Sequence, residues 1–365
     1  MPRHKSHGDE SRAVTLQDIA DRCGVSRITA SCALRGDRKS VSQAVMDKIV
    51  KVAREMGYDP ALAHAARRLK YQHSPGQVEN HLVALFFPLF KEHYWSLIFE
   101  GINRVFHEAR YGVVLSVAEG REPDFREWLP YVFRRGEVDG ALIFAHQDCR
   151  VLANSLIDEP GFGSRPIVTM AEQLPGHAAV VVDDRQAGYL AAAHLLELGH
   201  RHLLCFHHPE FQNVILRQRV AGHEQAMRER GLDPGVHLHH APWVWDDPRG
   251  LEPAMEDVLC AFPGVTGIIF PNDNFGIQAV RAVVRLGRRI PEELSVMGVD
   301  DSDIWAPAED RNIWTTVRLP LKELGETSAR LLLKRIQGGA SDATVETLPA
   351  TLVTRGSTCP LRVAG

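Results

Sequence analysis

Three charged side chains stand where strands of a parallel sheet are expected to end. Asp273 and Asp300 each come directly after an apolar run, and Arg219 opens the helical pattern that follows another such run. Ligands of open parallel sheets bind outside the carboxyl ends of the strands. Two carboxylates and a guanidinium are suited to fixing several hydroxyl groups, because each hydroxyl needs a partner in a defined direction. We therefore expect a site for a polyhydroxylated small molecule; for each residue alone, a helix cap or a solvent-facing charge is the alternative.

Four further residues are weaker candidates for the same site. Asn272 and His146 stand at equivalent strand ends, and Tyr94 and Trp95 come just after the first apolar run. An aromatic ring at that place could stack on the face of a sugar or of a purine base. Most tryptophans in folded proteins belong to the core, so structural packing is the alternative for each aromatic residue.

The segment 15–35 has the order of a helix-turn-helix. Thr15 is a candidate N-cap with an aspartate three residues on as its capping-box partner. Gly24 supplies a turn that needs positive φ, and Ser26 caps the following helix. Such a motif sets its second helix into the major groove of DNA, whereas the alternative is a helical hairpin without that role. The predicted DNA-contacting residues of the motif are Thr15, Leu16, Ser26, Arg27, Ile28, Thr29 and Ser31.

Signatures of catalysis, cofactor binding and metal binding are missing from the sequence. It has no Gly-x-Ser-x-Gly, no phosphate-binding glycine loop followed by Lys-Ser or Lys-Thr, and no His-Glu-x-x-His. The spacing of the histidines matches no known set of metal ligands, and we predict solvated loops at positions 207, 208, 237, 239 and 240. The cysteines form no Cys-x-x-Cys pair, which favours reduced thiols at positions 23, 32, 149, 205, 260 and 359. We expect no enzyme, no cofactor and no metal.

Short apolar runs alternate with helical patterns through the body of the chain. The strand candidates are 82–87, 113–117, 141–144, 167–170, 180–182, 203–206, 265–270 and 294–297. The helix candidates are 95–109, 123–135, 185–198, 217–230, 248–261 and 275–287. Alternation of this kind indicates parallel sheets with helices on both faces. Because the strands are too many for one ordinary sheet, we predict an all-α head followed by an α/β body of two doubly wound lobes.

Charge is distributed unevenly along the chain. Residues 1–73 hold 14 Lys and Arg against 8 Asp and Glu, whereas the remainder holds 28 against 38. A basic head on an acidic body suits a protein that contacts a phosphate backbone with one end only. No stretch approaches the roughly 20 apolar residues of a membrane span, and the polar N-terminus does not have the pattern of a signal peptide. We therefore expect a cytoplasmic protein without membrane contact.

The head resembles that of the lac-repressor/gal-repressor (LacI/GalR) family of bacterial transcription regulators. The matching positions keep their spacing in Thr15-Leu16-x-Asp18-Ile19-Ala20 and in Gly24-Val25-Ser26-x-x-Thr29-x-Ser31-x-x-Leu34. They continue through Val41-Ser42 and a third amphipathic helix to Gly57-Tyr58-Asp59-Pro60. The resemblance implies a DNA-binding headpiece that ends in a hinge.

The recognition helix departs from the family at one position. Where many members carry a basic residue that reaches a guanine edge, this chain has Cys32. Base reading then falls mainly on Arg27 and Ile28, since Arg can pair with guanine in a bidentate manner and Ile can only pack on a thymine methyl group.

The hinge departs as well. The leucine that the family commonly has seven residues after the proline is replaced by Arg67, with Leu62 and Leu69 on either side. The resemblance implies a hinge helix that wedges a leucine into the minor groove, and it leaves open which leucine does so.

The resemblance continues through nearly the whole body. The matching segments are 138–144, 183–200, 219–222, 270–273, 290–301, 315–318 and 352–358. It implies two lobes similar to those of periplasmic sugar-binding proteins, and it singles out Arg219, Asp273 and Asp300 as effector contacts. The predicted divisions are a disordered tail 1–13, a DNA-binding domain with hinge 14–70, a linker 71–80, and a two-lobed effector-binding and dimerisation domain 81–358, with lobe 1 at about 81–182 and 313–338 and lobe 2 at about 183–312 and 339–358.

These observations favour a DNA-binding transcription regulator, most simply a repressor, that is controlled by a sugar or a related metabolite. One alternative is an exported solute-binding protein, which would have two lobes but also an export signal. The other is an enzyme of the doubly wound class, which would need a catalytic group that the sequence does not offer. The residues after Thr358 contain no apolar heptad tail, so we predict a homodimer and not a tetramer.

Overall fold

The structure is a computed structural model. It describes residues 14–34, 41–56, 58, 80–87, 93–117, 138–145, 165–207, 214–242, 251–301, 312–338 and 343–361. The internal contacts divide the chain into two compact units, residues 1–79 and residues 80–365. The predicted tail 1–13, the hinge after Pro60 and the linker up to residue 79 lie outside the described residues.

The head consists of three helices, α1 Leu16–Cys23, α2 Arg27–Leu34 and α3 Gln43–Glu55. The predicted capping box is confirmed: the Thr15 hydroxyl accepts from the Asp18 N–H at 3.3 Å, and the Asp18 carboxylate accepts from the Thr15 N–H at 2.7 Å. α1 ends at Gly24, whose φ of 69° is the left-handed conformation that the turn requires. Apolar side chains of all three helices form one core, with Ile19 and Ile49 at its centre.

The body is built from twelve strands and seven helices within the described residues. The strands are β1 Leu82–Phe87, β2 Gly112–Val117, β3 Gly140–Phe144, β4 Ile167–Met170, β5 Ala178–Val182, β6 Leu203–His207, β7 Leu238–Pro242, β8 Gly267–Ile269, β9 Ser295–Asp300, β10 Thr316–Arg318, β11 Val345–Leu348 and β12 Thr351–Val353. The helices are α4 His93–Glu108, α5 Asp184–Glu197, α6 Val214–Glu229, α7 Pro234–His237, α8 Leu251–Ala261, α9 Asp273–Arg285 and α10 Leu321–Ile336.

The strands form two six-stranded sheets, which confirms the predicted two-lobed α/β body. The first has the order β11-β5-β4-β3-β1-β2 and is parallel throughout. The second has the order β12-β10-β9-β8-β6-β7, and only β12 runs antiparallel. The central strands β3 and β4 are fully buried, as expected where helices cover both faces of a sheet.

The late strands cross between the lobes at points that differ from the predicted ones. β10 pairs with β9 in the second sheet, although its segment was assigned to lobe 1. β11 pairs with β5 in the first sheet, although its segment was assigned to lobe 2. Between them α10 packs on α4 and on β3, β4 and β5. Strands of three or four residues carry too little periodicity to be assigned to a sheet before their pairing partners are known.

One other expectation differs from the structure. The loop prediction for histidines 237, 239 and 240 is wrong, because residue 237 ends α7 and the other two lie in β7. Residue 207 also lies in a strand, β6, whereas residue 208 and the predicted helix 123–135 are outside the described residues. None of the helices in the described ranges combines the length and the apolar character needed to cross a bilayer.

Candidate functional site

Arg219 is a buried cation on α6, with only 7% of its surface exposed. Its Nε donates to Oδ1 of Asp184 at 2.9 Å, and its Nη1 donates to the carbonyl oxygen of Pro271 at 2.7 Å. The other terminal nitrogen, Nη2, donates to none of the described residues. Arg219 therefore links the start of α5 to the end of β8 and keeps one nitrogen for a further acceptor.

Two glycines bring α5 and α6 close enough for this contact. A Cβ placed on Gly188 would lie 2.0 Å from the carbonyl oxygen of Arg219, and one on Gly222 would lie 2.1 Å from the carbonyl oxygen of Arg185. Real Cβ atoms do not approach backbone oxygens so closely. The helix backbones can thus touch only because both positions lack a side chain, and Asp184 reaches Arg219 as a result.

The charges around Arg219 come from both lobes. Burial lowers its pKa, but Asp184, Asp300 and Tyr94 act in the opposite direction and the net effect raises the pKa. Asp184 begins the second lobe, Asp300 ends β9, and Tyr94 lies on α4 in the first lobe. Burial raises the pKa of Asp184, against the favourable charge of Arg219. Arg219 thus lies within electrostatic reach of two carboxylates and one tyrosine.

Asp300 and Asp301 form a corner with an unusual backbone. Their φ angles are 123° and 56°, a region that residues with a Cβ rarely adopt. The neighbouring groups hold this conformation, because Asp301 accepts from Nη2 of Arg355 and from Nε of Arg318, each at 2.7 Å. Its N–H also donates to Oδ2 of Asp273 at 2.8 Å. The corner that carries Asp300 is thus tied to β10 and to the segment after β12.

The carboxylate of Asp273 accepts hydrogen bonds from other residues of the protein. Only 3% exposed, its carboxylate accepts from Trp314 Nε1 at 2.9 Å, from Thr316 Oγ1 at 2.7 Å and from the Asp301 N–H. A carboxylate has about four acceptor positions, so these donors fill most of them. The neighbouring Asn272 caps α9 by accepting from the Phe275 N–H at 2.8 Å. For Asn272 the structure thus shows the capping role that was the alternative, and for Asp273 it shows a role in holding β10 and the corner.

Both aromatic candidates pack against the core of the first lobe, and only Tyr94 also acts on Arg219. Trp95 is 9% exposed and packs edge-on against Phe144, with ring centroids 4.6 Å apart, so it belongs to the core of the first lobe. Tyr94 is half-buried and acts electrostatically on Arg219. His146 is outside the described residues. Among those residues, no group of three histidine, cysteine or carboxylate side chains is arranged to hold a metal ion.

Sequence reasoning missed Asp184 as a site residue. It is 8% exposed and lies at the carboxyl end of β5, the same kind of position that singled out Asp273 and Asp300. The pair Asp183-Asp184 was noticed only as part of the resemblance. Its position after a strand would have sufficed to add it to the candidates.

In the head, the predicted DNA-contacting residues fall into two groups. Arg27 and Ile28 are exposed at the start of α2, Ile28 by 76%. Leu16 is 7% exposed and packs in the head core, and its contact with DNA stays a prediction. Cys32 is also buried, which leaves base reading to other side chains.

The hydroxyl groups of the head have partners within it. Ser26 Oγ accepts from the Thr29 N–H at 3.0 Å and lies 2.8 Å from Thr29 Oγ1, which confirms Ser26 as a cap of α2. The Thr15 hydroxyl donates to Asp18 at 2.6 Å. Ser31 is half-buried. Leu62, Arg67 and Leu69 of the predicted hinge lie outside the described residues.

Comparison with known proteins places both parts of the chain. Residues 15–61 match the family model for bacterial regulatory proteins of the lacI family, and residues 192–358 match the periplasmic binding protein-like domain. The chain is similar to the HTH-type transcriptional regulator CelR of Thermobifida fusca, with 29% identity over 359 residues that cover 96% of this chain and 99% of CelR.

Two solved structures are similar over most of the chain. The complex of transcriptional regulator CelR with cellobiose has a TM-score of 0.64 and 27% identity, covering 94% of this chain and 99% of that one. A LacI family transcriptional regulator from Enterococcus faecium with bound ribose has a TM-score of 0.65 and 27% identity, covering 77% of this chain and 100% of that one.

Proposed function

This chain belongs to the LacI family of bacterial regulatory proteins, and on that basis we propose that it is a cytoplasmic repressor that a neutral sugar releases from, or holds on, its operator. The family membership makes it a DNA-binding transcriptional regulator under effector control. The further claims of this proposal are the class of the effector, the residues that bind it, and the assembly.

The arrangement around Arg219 is the observation that supports the effector. Polar groups of both lobes converge there, and Nη2 of Arg219 has no partner among the described residues. Ionised carboxylates only accept hydrogen bonds and sugar hydroxyl groups donate them, so Asp184 and Asp300 suit a ligand of this class. The relatives solved with cellobiose and with ribose bind ligands of this class.

The effector can regulate the protein if the two lobes adopt two relative arrangements and the effector has a higher affinity for one of them. A ligand held by Arg219 from one side and by Tyr94 from the other favours whichever arrangement of the lobes lets both groups reach it. That preference becomes a change in operator affinity through a homodimer, in which two copies of the exposed pair Arg27 and Ile28 read a pseudo-palindromic site. A stable tetramer in light scattering at low micromolar concentration would contradict the assembly.

The test is a titration of operator binding with and without effector. The full-length protein is titrated by fluorescence anisotropy on DNA from its own promoter region, with cellobiose, D-ribose and related neutral sugars added in turn. Asp300→Ala should abolish the response to the active sugar and leave operator affinity without sugar nearly unchanged. Asp257→Ala, on the exposed surface of α8, is the matched control and should respond like the wild type.

The same titration separates the competing functions. A solute-binding protein or an enzyme of the doubly wound class would show no sequence-specific retention of promoter DNA. An Asp300→Ala variant that responds at the wild-type sugar concentration would remove Asp300 from the site and leave the DNA-binding function standing.

A further inference from the structure

The described groups that act on Arg219 bring more negative than positive charge to its surroundings. Arg219 is the cation, and Asp184 and Asp300 are the carboxylates that act on it. Both members of the ion pair are withdrawn from water, with 8% of the Arg219 side chain and 10% of the Asp184 side chain exposed. Water therefore screens these charges weakly, and a further anion would feel both carboxylates.

The guanidinium is also engaged before any ligand arrives. Two of its three nitrogens already donate, Nε to Asp184 and Nη1 to the carbonyl of Pro271. Guanidinium groups hold phosphates and carboxylates best through two parallel N–H groups. Asp184 engages Nε of one two-donor edge and the Pro271 carbonyl engages Nη1 of the other, so an anion would have to compete with one of them to gain two parallel N–H groups.

We propose that Asp184 is a specificity-determining residue that restricts the effector site to uncharged sugars and excludes their phosphorylated or oxidised, anionic counterparts. The proposal rests on the proposed function, because it concerns the same site. Asp184 occupies Arg219 and adds a negative charge beside it, so the arginine orients a neutral ligand through Nη2 and does not recruit an anion. A sugar phosphate then binds more weakly than its parent sugar, although the two molecules share every hydroxyl except the one that carries the phosphate.

Matched ligand pairs test the proposal on the wild-type protein. Binding to the full chain is measured by calorimetry and by thermal shift for D-ribose against D-ribose 5-phosphate, and for cellobiose against cellobionate. In each pair we expect the anion to bind at least tenfold more weakly than the neutral sugar. An anion that binds as tightly as its neutral partner overturns the proposal.

A charge-removing variant tests the role of Asp184 itself. Asp184→Asn keeps an oxygen that can accept from Arg219 Nε but removes the carboxylate charge. We expect it to bind the anionic member of each pair at least tenfold more tightly than the wild type does. Asp183→Asn is the control: Asp183 caps α5 by accepting from the Gln186 N–H at 2.8 Å, and asparagine caps equally well. Equal gains in both variants would show that net charge alone, and not Asp184, sets the selectivity.

An experiment with inorganic sulfate distinguishes a failure of this proposal from a failure of the proposed function. If none of the neutral sugars binds, the sugar effector of the proposed function is wrong, and sulfate still reports on the arginine. We expect sulfate to stabilise Asp184→Asn but not the wild type, relative to chloride at equal ionic strength. Sulfate that stabilises both proteins equally overturns the proposal. Asp300→Asn, which removes the other carboxylate, replaces Asp184→Asn if that variant does not fold.

Discussion

His223→Leu should make the body of the protein more stable and less sensitive to acid. His223 lies on α6, one helical turn after Arg219, and only 4% of its surface is exposed. Neither ring nitrogen has a hydrogen-bond partner in the part of the chain that the structure describes. Burial, assisted by His240 and Arg219, lowers the pKa of His223 from 6.5 to about 3. The folded protein thus keeps a neutral ring in surroundings that do not satisfy it.

The structure gives both the sign and the size of the effect. Below pH 6.5 the unfolded chain takes up a proton at this ring, whereas the folded chain does so only near pH 3. The stability associated with the neutral ring is complete above pH 6.5 and is lost progressively as the pH falls toward 3, by about 5 kcal/mol in all. At pH 7, Leu also removes the unpartnered nitrogens, and relief of such desolvation is worth about 1–3 kcal/mol.

The assay is urea unfolding of wild type and variant at several pH values between 4 and 8. We expect the variant to unfold at higher urea concentration at pH 7, and the difference between the two proteins to widen as the pH falls below 6.5. His107→Leu, at an exposed position of α4, is the control and should follow the wild type at every pH. A difference between wild type and His223→Leu that stays constant from pH 7 to pH 4 would refute the reasoning.

Three further predictions concern the helix contact, the corner and the head. Gly188→Ala places a Cβ 2.0 Å from the Arg219 carbonyl oxygen, so it should cost about 1–3 kcal/mol or more and lower the thermal midpoint, whereas Gly264→Ala, with nothing within 4 Å, should be tolerated. Arg318→Gln and Arg330→Gln each break an ion pair of a half-exposed arginine, 56% and 57% exposed, so each should change unfolding stability by only about 0–1 kcal/mol. Only Arg318→Gln should also weaken the effector-dependent change in operator affinity, and an equal loss in Arg330→Gln would contradict a specific role of the corner. Arg27→Ala should weaken operator binding by about 1–3 kcal/mol and relax base preference at one position in each half-site; operator affinity equal to the wild type would dismiss Arg27 as a base-reading residue.

The rules for helix caps and turns correctly predict structure where a residue contacts its close neighbours in sequence. The capping box at Thr15 and the turn at Gly24 follow from residue types within a few positions, and the structure contains both. Leu16 lies on the apolar side of α1 and packs in the head core.

Local rules do not predict contacts between residues that are distant in sequence. Asp273 receives hydrogen bonds from Trp314 and Thr316, which β10 brings to it from more than forty residues away. The ion pair of Asp184 with Arg219 could not be predicted, because the two residues are distant in sequence and their contact depends on Gly188. β10, β11 and β12 are too short to show a period of their own, and they exist because earlier strands offer them an edge.

The position of β11 and β12 near the C-terminal end of the sequence has a consequence for the nascent chain. During synthesis, the edge of β5 that pairs with β11 stays unpaired until β11 has been made. The edge of β10 that pairs with β12 stays unpaired until β12 has been made. An unpaired edge is a template for pairing with another molecule. We therefore expect both sheets to be completed only when the C-terminal strands have been made, so that neither lobe completes its sheet on the ribosome well before the other. We expect a chain truncated after Gly338 to lose protection from amide hydrogen exchange in β5 and in β10 alike; protection that persists in either strand would show that its lobe matures alone.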